Sequence, residues 1–187
     1  MSPHRIMFVC HGNICRSPMA EFVMRDLAMK AGRANEFRIA SCATTAEEIG
    51  NPVHPGTRRV LAAHGIACVG KTACQVRRDE YKSWDLFVAM DDENVRDLRR
   101  LFRGDPDGKV RKLLEFAGAG AGAAASGTGK GACGTGRGTD AKVAAGMAGR
   151  SESTPARDVA DPWYTGDFET TWNDILAGCE GLLATLC

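Results

Sequence analysis

The sequence predicts an α/β fold, a single domain built on a four-stranded parallel sheet with helices on both faces. Three observations predict it. Short apolar runs alternate with segments whose apolar residues recur at helical spacing, and such alternation packs helices over a parallel sheet. The clearest runs, Arg5 to Cys10 and Leu86 to Met90, carry almost no polar interruption, as strands buried on both faces do. The chain has 187 residues, 44% of them hydrophobic, which suits one core.

Taken in order, Arg5 to Cys10 reads as a buried strand that ends in the turn-prone pair Gly12-Asn13. A helix follows: Ser17 can cap it, Pro18 suits its first position, and Ala20, Val23, Met24, Leu27 and Ala31 line one side until Gly32. Phe37 to Ser41 is a second strand and Thr57 to His64, after Pro55, a helix. Leu86 to Met90 is the third strand, and Asp91 or Asp92 opens a polar helix through Phe102. Val110 to Phe116 is the fourth strand. A final helix from Phe168 to Leu186 turns Phe168, Trp172, Ile175, Cys179, Leu182 and Leu186 inward. Between the last strand and that helix, residues 117–157 are dominated by glycine, alanine, serine and threonine, with no aromatic residue. Such a stretch buries too little apolar surface to offset its ordering entropy and reads as a flexible insertion within the domain.

Charge excludes several function classes. Lysine and arginine (24) nearly cancel aspartate and glutamate (23), so no global field recruits nucleic acid or an anionic membrane. No run approaches the roughly 20 apolar residues of a membrane span, and Met1 to Val9 has no long apolar stretch behind its basic residues. Eight cysteines without an export signal are expected to be free thiols in a reducing, cytoplasmic setting. Neither Cys10/Cys15 nor Cys68/Cys74 has partners at zinc spacing, so no metal site and no cofactor are expected.

The chemistry concentrates in Cys10-His11-Gly12-Asn13-Ile14-Cys15-Arg16-Ser17. Lying between a strand and a helix, this chain is long enough to curl round a phosphate, with backbone N–H groups pointing inward and the helix presenting its positive end. Gly12 and Asn13 tolerate the left-handed backbone such a curl demands. The same field favours a thiolate at Cys10, Arg16 offers a planar fork for phosphate oxygens, and Ser17 could donate a hydrogen bond to the sulfur. A buried cysteine that is merely a small hydrophobe is the competing reading. Phosphoryl transfer to sulfur also needs a proton for the departing oxygen, which must come from elsewhere.

Val9 to Pro18 resembles the phosphate-binding loop of the low-molecular-weight protein tyrosine phosphatases. Asp161-Pro162-Trp163-Tyr164 followed by Gly166-Asp167-Phe168-Glu169 is similar to that family's acid loop and the start of its last helix. Ser41, Ile49 to Pro52, His64 to Ile66 and Met90-Asp91 fall in the family's order. The resemblance implies a Rossmann-like fold of the phosphotyrosine phosphatase I type and hydrolysis of phosphotyrosine and other aryl phosphates, with inorganic phosphate as product. Cys10 would attack phosphorus. Arg16 and the loop from His11 through Gly12, Asn13, Ile14 and Cys15 to Ser17 would hold the oxygens. Asp161 would protonate the leaving phenol and later activate water. Asn13 and Ser41 would support the loop, Asp91 would position neighbouring polar groups, and Trp163 and Tyr164 would wall the aryl group. A monomer or weak dimer is expected. Cys15, in the same loop as Cys10, is either a partner for a reversible disulfide or ordinary packing.

The chain departs from the family at Ala46-Glu47, where an aromatic residue is common on one side of the cleft. Glu47 should favour basic over acidic flanking residues. His54, where the family often has an acidic residue, reads as a surface histidine. An arsenate reductase on the same fold is the alternative activity, and Cys68 and Cys74 are the cysteines that would relay its electrons.

Overall fold

The computed structural model describes residues 3–118 and 156–186. Its sheet has four parallel strands, β1 (His4–Cys10), β2 (Phe37–Ala43), β3 (Leu86–Ala89) and β4 (Val110–Lys112), in the order β2-β1-β3-β4. Five helices accompany them: α1 (Arg16–Lys30), α2 (Pro55–Ala63), α3 (Asp92–Leu101), the single turn α4 (Pro162–Thr165) and α5 (Phe168–Thr185). The predicted single α/β domain with helices on both faces is the architecture observed.

Strand alternation divides the core. Ile6, Phe8 and Cys10 of β1 face one side, where Met19, Val23 and Met24 of α1, Val60 and Leu61 of α2 and Trp172, Ile175 and Leu182 of α5 pack. Met7 and Val9 face the other, against Trp84, Phe87, Leu98 and Phe102. Two glycines let α5 approach closely. A Cβ at Gly178 would run into the Leu113 side chain, and one at Gly181 into the carbonyl of Phe116. At Gly56, on α2, a Cβ would strike the ring of Phe168.

Some predicted boundaries shift, each for a physical reason. Helix α1 begins at Arg16, with Cys15 as N-cap and no side-chain cap, because Ser17 Oγ turns inward toward Cys10. β4 stops at Lys112 and tightens into a 3₁₀ turn over Leu113–Glu115, since β3 offers it only Phe87 to Ala89 as partners. β2 runs on to Ala43, where Ala43 also bridges Gln75. Most of the insertion predicted at 117–157 lies outside the described residues. Its far margin does not: Arg157 ion-pairs with the buried Asp174 of α5.

Candidate active site

The loop from His11 to Cys15 leaves the carboxyl end of the central strand β1 and turns directly into α1, which sets Cys10 on its floor, 3% exposed. Asn13 carries the left-handed turn, at φ 57°. Gly12 does not, which corrects the expectation that both would. Glycine suits position 12 because a Cβ there would come 3.0 Å from Cγ of Glu48.

A buried chain of hydrogen bonds fixes the floor. Cys10 Sγ lies 3.0 Å from Ser17 Oγ, which accepts from Asn13 Nδ2 at 2.9 Å. The same Nδ2 donates to Ser41 Oγ at 2.8 Å, and Ser41 in turn donates to Glu21 Oε2 at 2.6 Å. Because Ser17 and Ser41 each accept from Asn13, their own protons are free to point outward, toward Cys10 Sγ in one case and Glu21 in the other. Lys71 donates to the Ser41 carbonyl at 2.7 Å and Arg25 pairs with Glu21, offsetting the buried carboxylate. The Cys74 amide donates to Asn13 Oδ1 at 3.2 Å. Glu21 and Lys71 were not singled out by the sequence and Cys74 was named only as an electron relay; of the three, only Glu21, one helical turn after Ser17, left a trace of its part here that could have been read.

Arg16 is 5% exposed and is held between two carboxylates, Nη1 donating to Asp91 Oδ2 at 2.6 Å and Nη2 lying 2.5 Å from Asp161 Oδ2. Burial works against the guanidinium cation, but the charges of Cys10, Asp161 and Asp91 outweigh it and raise its pKa. Asp91 spends its other oxygen on the amide of Asn94, capping α3, so a helix start fixes the angle from which it reaches Arg16. Asp161 likewise caps α4, accepting from the Trp163 amide at 3.0 Å.

Asp161 stands 145 residues after Arg16 in sequence, and the segment before it is tied down on both sides. The Val159 amide donates to the Met90 carbonyl, Ala160 N–H donates to Asp174, and Thr171 Oγ1 donates to the Ala160 carbonyl. Lys112 joins Asp158 to Asp92.

A cleft of about 750 Å³ opens over the loop, lined by Cys10, His11, Gly12, Ile14, Cys15 and Arg16 below. Its rim holds Glu47, Asp91, Asp161, Trp163 and Tyr164, so nearly all the predicted site residues meet there. Ser41, Asn13 and Ser17 lie beneath it. Trp163 and Tyr164 are 60% and 85% exposed, and Glu47 reaches His11 Nε2 at 3.2 Å. His54 corrects the surface reading: it is half-buried, its Nδ1 caps α2 by accepting from Gly56 N–H, and its ring stacks on Phe168 and meets the Trp163 ring edge-on. Cys15 is buried, its thiol pushed up to about 12 by burial and by the charge of Cys10. Cys68 packs against the core on the α1 face of the sheet while Cys74 meets Cys42, which faces the other side, so the structure does not pair Cys68 with Cys74.

A thiol and a guanidinium set in one strand-to-helix loop, at the carboxyl edge of a parallel sheet, define the class as that of the cysteine-based phosphatases. The comparisons narrow this. The model of the family described as low molecular weight phosphotyrosine protein phosphatase matches residues 5–126. The low molecular weight protein-tyrosine-phosphatase YfkJ of Bacillus subtilis is 34% identical over 181 residues, 97% of this chain and 94% of its own. The low molecular weight phosphotyrosine protein phosphatase of Gallus gallus is 40% identical over 61% of this chain and 70% of its own. The crystal structure of YfkJ superposes with a TM-score of 0.77 at 33% identity, covering 100% of this chain and 96% of that one. That of SP-PTP, from Streptococcus pyogenes, gives 0.71 at 29% identity over 98% and 93%. The chain belongs to the low molecular weight phosphotyrosine protein phosphatase family and is an enzyme of that type.

Proposed function

We propose that this enzyme hydrolyses phosphotyrosine in proteins, and small aryl phosphates, through a cysteinyl-phosphate intermediate. The observation that carries the reading is Arg16, bridged to Asp161 on one side and Asp91 on the other at the mouth of the loop whose floor is Cys10. Binding alone would need neither a nucleophile below the guanidinium nor a carboxylic acid beside it.

In this reading the loop amides and Arg16 take the non-bridging oxygens, and the Cys10 thiolate attacks phosphorus in line with the ester oxygen. The P–O bond to the phenol breaks as the S–P bond forms, and Asp161 gives its proton to the departing phenolate oxygen. Asp161, now a carboxylate, takes a proton from water as that water attacks the cysteinyl phosphate. Inorganic phosphate leaves and the sulfur regains its negative charge, stabilised by the Ser17 hydroxyl at 3.0 Å. Asn13 and Ser41 hold Ser17 in place, and Asp91 fixes Arg16. Trp163 and Tyr164 supply apolar area for the aryl ring, and the Glu47 carboxylate at the rim favours peptides with basic flanks. No metal or organic cofactor enters this scheme. The domain spans the whole chain, interrupted by the insertion, and its setting is the reducing cytoplasm.

The test compares wild type, Cys10→Ser and Asp161→Ala on phosphotyrosine, phosphoserine and para-nitrophenyl phosphate. Cys10→Ser should be inactive, and Asp161→Ala should be slowed about 10²- to 10⁴-fold, the usual worth of a general acid. An Asp161→Ala enzyme with undiminished kcat on phosphotyrosine would overturn the role given to Asp161. Appreciable turnover by Cys10→Ser would overturn the whole mechanism.

A further inference from the structure

A second pair of thiols lies beside the phosphate loop and takes no part in the mechanism above. Cys42 Sγ and Cys74 Sγ are 2.9 Å apart. That is inside the ~3.5–4.0 Å at which even carbon atoms make contact. The backbone explains the approach. Ala43 bridges Gln75 in parallel register, the Ala43 amide donates to the Cys74 carbonyl at 2.6 Å, and the Val76 amide donates to the Ala43 carbonyl at 2.9 Å. Cys42 and Cys74 are therefore register neighbours on two paired extended segments. Such segments lie about 4.8 Å apart, within the Cα separation of roughly 4.4–6.8 Å that a disulfide spans.

The two cysteines are unequal. Cys42 is 5% exposed in the core, whereas Cys74 is open to solvent. The hydrogen bond from Cys42, with Lys71 nearby, lowers the Cys74 thiol to about 7, while Cys42 is raised by the same bond and by burial. An accessible thiolate with a protonated thiol against it is the arrangement in which an oxidised sulfur is captured by its neighbour.

We propose that Cys42 and Cys74 are a reversible dithiol–disulfide site, oxidised by hydroperoxides, that staples the rim of the substrate cleft to the sheet. The Cys74 thiolate attacks the terminal oxygen of the hydroperoxide, cleaving the O–O bond and releasing an alcohol, or water from hydrogen peroxide, to leave a sulfenic acid. Cys42 then attacks that sulfur, its proton leaving with the displaced hydroxide as water. Two thiols and one hydroperoxide give one disulfide, one alcohol and one water. The new bond joins residues 32 apart in sequence, and the enclosed segment carries Glu47, Glu48 and α2. The Cys74 amide that supports Asn13 Oδ1 is not consumed, so the loop keeps its brace.

The experiment uses Cys10→Ser protein, so that the nucleophile is removed as a source of oxidised sulfur and the outcome is independent of the phosphatase reading. Substoichiometric hydrogen peroxide is added, the digest is mapped by mass spectrometry without reductant, and melting is followed in parallel. The expected result is a Cys42–Cys74 crosslinked peptide two hydrogen masses lighter than its parts, a rise in Tm, and reversal of both by dithiothreitol. Cys74→Ser and Cys42→Ala on the same background should each abolish the crosslink and the rise. A Cys74 that ends as sulfinic acid with Cys42 still a free thiol, or that pairs with another cysteine, would overturn the proposal, as would a crosslink that lowers Tm. Alkylation of Cys74 by iodoacetamide should rise with pH through about 7, and a midpoint near that of free cysteine would count against its role as the attacking thiol.

Discussion

Asn13 shows how much a single buried residue is asked to do. Its amide donates to Ser17 and Ser41, accepts from the Cys74 backbone, and its φ of 57° turns the loop. Asn13→Ala removes three hydrogen bonds and also strains the backbone, whereas Asn13→Gly removes the bonds without the strain. Each hydrogen bond is worth a net of about 0.5–1.5 kcal/mol, so losing three should cost both variants roughly 2–4 kcal/mol in urea unfolding, alanine about 1 kcal/mol more than glycine. Both should also lower kcat on para-nitrophenyl phosphate, because Ser17 then has nothing to orient its proton toward Cys10. Asn13→Gly with unchanged kcat would sever that link. The sequence pointed to Asn13 and Ser41 through a resemblance and named Cys74 only as an electron relay, while Glu21 left no more than its spacing from Ser17. The parts that Lys71 and Cys74 play here arise from tertiary proximity, with no local pattern. His54 was missed for a related reason: a histidine before Pro55 looks solvent-facing until Phe168 and Trp163, more than 100 residues on, fold against its ring.

At the scale of elements, the long apolar segments were legible because their periodicity reports their burial, and β1, α1, β3 and α5 fall within a residue or two of expectation. β4 was overextended, since apolar character runs on through Leu113 and Leu114 although the strand beside it has ended. The glycines of α5 look like helix defects in sequence and are packing requirements in the fold. Gly181→Ala should gain about 1 kcal/mol of helix propensity and lose more than that to overpacking against the Phe116 carbonyl. The net should be a destabilisation of about 1–3 kcal/mol in denaturant unfolding, and a higher Tm would show that α5 packs less tightly than described. The strand ends offer a pH test. Arg5 clasps Asp85 with backbone and side-chain donors, and the side-chain hydrogen bond holds the Asp85 carboxyl below its usual value. That contribution is full above the unfolded carboxyl's pKa and is lost as pH falls through the folded one. Asp85→Asn should therefore be mildly less stable at pH 7, and the gap should close in strong acid. A gap independent of pH would assign the effect to shape and not to charge.

For the whole molecule, the fold class followed from alternation and composition alone, while the meeting of Asp161 with Arg16 required the motif at each end to be known. Removal of Gly118 to Ser153 is predicted to leave a folded enzyme within about tenfold of wild-type activity, near 1.4 kcal/mol in barrier, because loop closure varies slowly with length and Asp158 to Asp161 are moored by Lys112, Met90 and Asp174. A deletion that folds, by circular dichroism, yet has no activity would mean the mooring is insufficient. The arginine between its two carboxylates has a final consequence. Asp161 already occupies one arm of the fork that an incoming oxyanion requires. In the proposed mechanism a phosphate ester that docks displaces that carboxylate from its cation, and Asp161 must take up a proton before it can protonate the leaving oxygen. Affinity for the ester is thus measured net of the contact it displaces, and the release of inorganic phosphate is helped by a tethered rival that reclaims the guanidinium.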